Sequence, residues 1–289
     1  MDLLSICIPT YNRRDRLRAL LKKLCLWNKD NIKIIVVDNA SIDGTDKMIK
    51  EFDKYKNLLY FRNEVNLGPD GNFFRIIEEG KKYSKYSLWL GDDDCVTREF
   101  FEDIPKILES NKPNVVILNY YLYNNNFIKR WIYMLGIKKR KAIYEYENNY
   151  IEKDLENLFK KTRFKMPFGT IIMNNSLIEL KNTLKYKETY HLYSGAMWEG
   201  LDKANKENGH IIAYITKNCY ISWGKGEKSY NINKMDKIYE GISKWYVQLP
   251  ISLKSVAEET LKIIVKENRY GIYSEKVYNK YIENIKNEN

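Results

Sequence analysis

Three consecutive carboxylates, Asp92, Asp93 and Asp94, follow the apolar run Leu88-Trp-Leu90, with Gly91 between them. Leu88, Trp89 and Leu90 favour the interior, while three adjacent anions repel one another unless a positive charge compensates them. Read as a buried strand that ends in an acidic loop, the stretch offers hard oxygen ligands to a divalent cation. In an open α/β sheet such loops are also where ligands collect. The same residues suit an ordinary solvated turn, so the elements around them have to decide.

Those elements repeat. Leu3–Ile8 is a short apolar run stopped by Pro9-Thr-Tyr-Asn12, and Leu17, Leu20, Leu21 and Leu24 then recur at helical spacing as far as Trp27. The β-branched run Ile32–Val37 ends in Asp38-Asn-Ala-Ser41. A helix is predicted from Asp43 through about Tyr55, with Asp43 or Thr45 as its cap. A third strand, Leu58–Arg62, leads into Asn63–Asp70 and a helix through Glu79, and the fourth strand delivers the carboxylates. Strands alternating with helices predict a mostly parallel sheet, and right-handed crossovers put all four loops on one rim. Thr10–Arg13, Asp38–Ser41, Asn66–Asn72 and Asp92–Asp94 should therefore meet in one crevice. Neither G-x-G-x-x-G after the first strand nor G-x-x-x-x-G-K-[ST] occurs, so a nucleotide there must be held by side chains and a metal.

The 289 residues suffice for one large domain with an appendage. A net charge of +11 favours an anionic partner, but the Lys, Asn, Ile and Tyr bias is a general one and no nucleic-acid patch stands out. Cys7, Cys25, Cys95 and Cys219 are widely spaced, which suggests neither a zinc knuckle nor a disulfide framework and makes the cytosol the default compartment. No run approaches the ~18 to 20 apolar residues of a spanning helix, and no signal peptide is visible at the amino end.

Ser5-Ile-Cys-Ile-Pro-Thr-Tyr-Asn-Arg13, Val36-Val-Asp-Asn-Ala-Ser-Ile-Asp-Gly-Thr45, Asn66-Leu-Gly-Pro-Asp-Gly-Asn72 and Leu90-Gly-Asp-Asp-Asp94 resemble, in order and spacing, the signatures of the family 2 nucleotide-sugar glycosyltransferases. The branch they are most similar to contains bacterial abequosyltransferases and other O-antigen or capsule sugar transferases. The resemblance implies a GT-A fold, a Rossmann-like mostly parallel sheet flanked by helices. It also implies a divalent cation, Mn²⁺ or Mg²⁺, and a donor nucleotide held by Pro9, Thr10, Tyr11, Asn12, Arg13, Asp38, Asn66, Asn72 and Asp92, with Asp38 accepting the uracil imide hydrogen. Metal ligands would come from Asp92, Asp93 and Asp94. The family usually has Asp where Gly91 stands, so the assignment within the triplet stays open between Asp92 with Asp94 and the register that uses Asp93.

Further along, Phe127–Lys141 mixes aromatic with six basic residues, as an interfacial helix on anionic lipid would, or an amphipathic lid. Tyr150–Lys161 has helical spacing and Phe168–Met173 reads as a strand. Family members take their base from the region that follows. Glu199 is the candidate on chain order, with Asp202 and His191 as alternatives. Lys225, Lys228 and Ser229 lie in a Gly-punctuated loop resembling one that closes over a donor diphosphate. From Asn233 the pattern is helical to the end, interrupted at Pro250 and Gly271, and its apolar stripe could pack on the catalytic domain or on another subunit.

The expectation is a catalytic domain over residues 1–230, with a donor half (1–125) and an acceptor half (126–230), and a helical extension over 231–289. Its activity would be inverting transfer of a sugar, UDP-linked before any other, to a bacterial surface glycan. That acceptor could be lipid-linked and met at the inner face of the plasma membrane. A sugar nucleotidyltransferase would show a Gly-rich amino-terminal loop where Pro9-Thr-Tyr-Asn12 stands, and a non-catalytic binding module would have lost the base.

Overall fold

The computed structural model describes residues 1–28, 32–122, 142, 146–162, 168–223, 232–266 and 272–288. Strands β1 (Asp2–Thr10), β2 (Ile32–Asp38), β3 (Leu58–Arg62) and β4 (Ser84–Trp89) are parallel and stand in the order β3-β2-β1-β4. Apolar side chains on both faces let these strands lie between two helical layers. Ile6, Ile8, Ile34 and Val36 enter one core and Cys7, Ile35 and Val37 the other. The Cys7 thiol belongs to this interior, and burial pushes its pKa up to about 12.

Helix α1 (Arg14–Trp27) buries Leu17, Leu20, Leu21 and Leu24, as their spacing predicts. The helix predicted through Tyr55 is shorter. It consists of α2 (Thr45–Met48) and a 3₁₀ turn, Ile49–Phe52; its N-cap is Gly44, and the Thr45 amide donates to Asp43 Oδ1 at 3.2 Å just ahead of it. Tighter i→i+3 bonds let the chain turn back within a few residues and enter β3. Helices α3 (Gly68–Tyr83) and α4 (Phe100–Asn111) complete the first crossovers.

Beyond β4 the sheet is mixed. Strand β8 (Ile171–Asn174) lies antiparallel between β4 and β6 (Val115–Leu122), and β9 (Ala213–Trp223) runs parallel to β6. The short strands β5 (Cys95–Val96) and β7 (Tyr150–Glu152) pair antiparallel with β9. The helical spacing from Tyr150 thus begins as a strand. Glu152 Oε1 accepts the Lys153 and Asp154 amides at 3.1 and 3.2 Å, which turns the chain, and Asp154 Oδ1 caps α5 (Leu155–Thr162) through the Asn157 amide at 2.6 Å.

Helices α6 (Leu180–Thr183) and α7 (Leu192–Asn208) follow. The carboxy-terminal helices are α8 (Ile232–Gln248), α9 (Ile251–Lys266) and α10 (Ile272–Glu288); the break between α8 and α9 falls at Pro250 as expected, while Gly271 lies outside the described residues. Their apolar stripe joins the core on the α3 and α7 side of the sheet. The Phe159 ring stacks on Trp245 at 6.4 Å and tilts against Trp198 at 4.8 Å, and Leu253, Leu261 and Tyr281 are buried in the same cluster as Trp89. Among the described residues no helix is long and apolar enough to cross a membrane. The basic segment 127–141 and the loop bearing Lys225, Lys228 and Ser229 lie outside the described residues.

Candidate functional site

In the order β3-β2-β1-β4, successive crossovers leave β1 toward opposite edges of the sheet. The gap between the ends of β1 and β4 is therefore the switch point at which such sheets bind ligands. Thr10 ends β1 and the acidic loop follows β4, so the topology alone brings them together. Thr10 Oγ1 donates to Asp92 Oδ2 at 2.8 Å, and Arg13 Nη1 donates to Asp92 Oδ1 at 2.7 Å. Arg13 and Arg16, one turn apart at the head of α1, also reach Asp93 Oδ2 at 3.5 and 3.6 Å. Burial lifts the Asp92 pKa above the ordinary carboxylate range, while Arg13 and then Thr10 pull against that rise.

Asp94 is 5% exposed, and its Oδ2 accepts the Gly91 amide at 3.3 Å. A Cβ on Gly91 would stand 2.8 Å from that oxygen, and one on Gly169, at φ +100°, would stand 2.7 Å from it. Glycine at 91, where the family pattern has Asp, is what lets Asp94 fold back onto the loop. Gly169 approaches from the end of β8 and walls the other side.

Among the described residues no three His, Cys, Asp or Glu side chains converge as a metal cluster. The donor chemistry still suits a hard divalent ion, because Mg²⁺ commonly takes one or two carboxylates and completes its shell with substrate phosphates and water.

Asp38 is fully buried at the end of β2. Its Oδ1 accepts the Ser41 amide at 2.9 Å and its Oδ2 the Tyr60 hydroxyl at 2.6 Å. Asn39, Asn63, Asn66 and Asn72 form a network between the loops. Asn39 Nδ2 donates to Asn66 Oδ1 at 2.8 Å, Asn63 Nδ2 to Asn72 Oδ1 at 3.0 Å, and Asn72 Nδ2 to the Val37 carbonyl at 3.2 Å. Asn66 and Asn72 thus rivet the crevice wall, with Asn72 buried. Pro9 lies within β1, while Tyr11 stands 44% exposed at the mouth and Asn12 Oδ1 accepts the Ile42 amide at 2.8 Å.

The three base candidates separate. His191 is the N-cap of α7, beside Tyr193 at 6.2 Å. Tyr193 in turn packs on Phe168, next to Gly169 and Asp94. His191 is therefore linked to the Asp94 wall through Tyr193 and Phe168, and burial pushes its imidazole down to about 4, so it is neutral at pH 7. Glu199 lies eight residues further along α7, ~12 Å at the helical rise. Its Oε1 accepts the Tyr186 hydroxyl at 2.8 Å and pairs with Lys185 at 2.6 Å. The adjoining Gly200 backs onto Met173 and Leu177, at the end of β8 remote from Gly169. Asp202 pairs with Lys206 at 2.7 Å and accepts the Ser252 hydroxyl. The structure does not bring Glu199 or Asp202 to the acidic loop, because β8 runs antiparallel to β4 and carries the chain away from the rim before α7 turns back.

Sequence reasoning missed Arg16, Tyr60, Asp70 and Gly169. Arg16 was legible as a second cation one turn after Arg13, and the other three depend on long-range packing.

Comparison with known proteins follows the same lines. The profile of glycosyl transferase family 2 matches residues 5–180. Abequosyltransferase RfbV of Salmonella typhimurium is 38% identical over 112 residues, which cover 37% of this chain and 33% of that protein. The chain spans only about a third of the length of that and another of the first curated relatives it matches. A GalNAc(5)-diNAcBac-PP-undecaprenol beta-1,3-glucosyltransferase of Campylobacter jejuni is 22% identical over 97% of this chain and 79% of its own length. Among solved structures, S. aureus TarS 1-349 in complex with UDP-GlcNAc superposes with a TM-score of 0.67 at 17% identity, over 97% of this chain and 79% of that one. Mannosyltransferase PcManGT from Pyrobaculum calidifontis, in complex with GDP-Man and Mn²⁺, gives 0.55 at 10% identity over 99% and 88%. At these identities the structural likeness is one of fold, the GT-A type.

Proposed function

Because the chain belongs to glycosyl transferase family 2, we propose that it moves a sugar from a nucleoside diphosphate, UDP before any other, to a hydroxyl of a bacterial surface-glycan acceptor, inverting the anomeric centre. The observation that carries this reading is the convergence of Thr10, Arg13 and Asp92 at the switch point of the sheet. UDP is favoured because a UDP-sugar occupies the TarS neighbour.

In this reading the nucleobase and ribose lie between the loops after β1 and β2, against Tyr11 and the wall that Asp38 and the asparagines stiffen. Asp92 faces the ribose, and Arg13 and Arg16 are cations within reach of a diphosphate. Asp94, with Asp93 in the alternative register, would hold the divalent cation, which supplies positive charge for the leaving diphosphate. The acceptor oxygen attacks the anomeric carbon from the face opposite the diphosphate. The new C–O bond forms as the bond to the diphosphate oxygen breaks, and the hydroxyl proton passes to a base. Of the three candidates His191 is the one linked through Tyr193 and Phe168 to the wall beside Asp94, and on that geometry it is assigned to take the proton, burial having lowered its basicity. A lipid-linked acceptor, as in the name of the Campylobacter relative, would bring the protein to the inner face of the plasma membrane.

The test is calorimetric titration with UDP, CDP, GDP and dTDP, each with Mn²⁺ and with EDTA, on the wild type and on Asp94→Ala. UDP binding that needs Mn²⁺ and is lost in the variant supports the reading. Preference for another nucleotide redirects the donor assignment, and no binding under any condition overturns it.

A further inference from the structure

The turn before α7 is held in an uncommon shape. Glu188 (φ 69°) and Tyr190 (φ 61°) both have left-handed backbone, which residues other than glycine keep only where their surroundings enforce it. The restraint comes from the neighbouring helix α3. Asp70, in the first turn of α3, accepts the Tyr190 amide on Oδ2 at 3.0 Å, and the amides of Glu188, Thr189 and Leu192 face the same carboxylate. Helix α7 has no side-chain cap of its own. Asp70 supplies from another helix the negative charge that an N-terminus ordinarily receives from its own N-cap.

Three further contacts close the turn. Thr189 Oγ1 donates to the Tyr186 carbonyl at 2.7 Å and accepts the His191 amide at 3.1 Å. Gly241 of α8 lies so close that a Cβ on it would stand 2.5 Å from the Thr189 carbonyl. Asp70 itself is 7% exposed, and burial raises its pKa against the pull of the amides. A buried anion is thus retained against the amides of this turn, with the Tyr190 N–H in hydrogen-bond contact.

The turn also has a place in the site. From Asp94 the wall of the crevice passes through Gly169 to Phe168, whose ring lies 5.0 Å from Tyr193 and 4.8 Å from Phe73. Phe73 sits one turn after Asp70 on α3, and Tyr193 adjoins His191. One helix therefore contributes both the tie and part of an aromatic wall, and the C–H face of a sugar packs against such rings.

We propose that Asp70 is a positioning residue for the transfer reaction, its carboxylate holding the Glu188–Leu192 turn so that His191 and the aromatic wall meet the acceptor in register with the donor. The proposal rests on the donor reading above, but its first readout uses no nucleotide. Amide hydrogen exchange of residues 188–192 is measured in wild type, Asp70→Asn and Asp70→Ala, together with UDP affinity and turnover of the UDP-sugar that the wild type accepts.

Asp70→Ala is expected to speed exchange in the turn about tenfold or more and to lower kcat about a hundredfold, with UDP affinity within about threefold of wild type. Asp70→Asn, which keeps one acceptor oxygen, should fall between the two. If Asp70→Ala does not fold, Thr189→Val loosens the same turn from its other side and is read in the same way. Native exchange or native kcat in a folded variant, with UDP binding intact, overturns this proposal alone. A wild type that binds no nucleotide overturns the donor reading and this proposal with it.

Discussion

Thr10 and Asp92, 82 residues apart in the chain, are joined by a 2.8 Å hydrogen bond that spans the gap between β1 and β4. The bond holds a buried carboxylate at the one place in a parallel sheet where crossovers diverge and leave room for a ligand. Arg13 completes it from the start of α1, so the acidic loop and the first loop form a single charged unit.

Removing the cation from that unit should cost stability in a pH-dependent way. The folded Asp92 pKa is already raised by burial and held back by Arg13, so Arg13→Ala raises it further. A carboxylate raised in the folded state destabilises as pH rises through its folded pKa. Arg13→Ala is expected to lose about 1–3 kcal/mol at pH 7.5, and less at pH 5. Urea midpoints of variant and wild type at both pH values measure this, and an equal loss at both would mean that Asp92 is not the group affected.

Gly169→Ala addresses the opposite wall. Its φ of +100° strains any L-side chain, and the added methyl would press on Asp94 Oδ2. The expected result is a loss of about 1–3 kcal/mol in stability and at least tenfold weaker metal-dependent UDP binding. Gly91→Ala, whose methyl meets the same oxygen without a positive φ, should weaken binding with a smaller stability loss. Differential scanning calorimetry and titration on both variants separate strain from displacement of Asp94.

His191 should leave a signature in acid. Its folded pKa lies near 4, below the ~6.5 of a free histidine. Between those values the unfolded chain binds a proton that the folded chain refuses, so stability falls as pH drops, by at most about 1.4 kcal/mol per pH unit. His191→Gln should flatten that part of the stability curve between pH 6.5 and 4. A curve unchanged by the substitution would show that the imidazole titrates normally in the fold.

Glu199→Gln should leave catalysis nearly intact. The carboxylate is occupied by Lys185 and Tyr186 on the part of α7 remote from the acidic loop. Turnover within about threefold of wild type is expected, with stability lower by about 1–2 kcal/mol for the weakened charged hydrogen bond. Steady-state kinetics decide, and a fall of a hundredfold or more would return Glu199 to the role of base.

Much of the donor side was readable residue by residue. The apolar runs of β1 to β4 are each followed by a polar loop, and right-handed crossovers then leave little choice about the rim on which those loops meet. The Leu spacing in α1 and the break at Pro250 were legible for the same local reason. What Asn66 and Asn72 do was harder to see, because an asparagine beside a pocket can line it or brace it, and the partners that make these two braces, Asn39, Asn63 and Val37, come from other loops.

Local pattern therefore determined that this chain builds a parallel α/β half with Thr10, Asp38 and the Asp92–Asp94 loop at one crevice, since side-chain periodicity and chain handedness act over a few residues at a time. The acceptor side was decided by tertiary structure alone. Strand β8 enters the sheet antiparallel between β4 and β6, which puts Gly169 against Asp94, carries Glu199 away from the rim, and brings the turn at His191 back to Asp70. That direction is set by pairing between segments far apart in the chain, whose backbone hydrogen bonds are the same whatever side chains they carry.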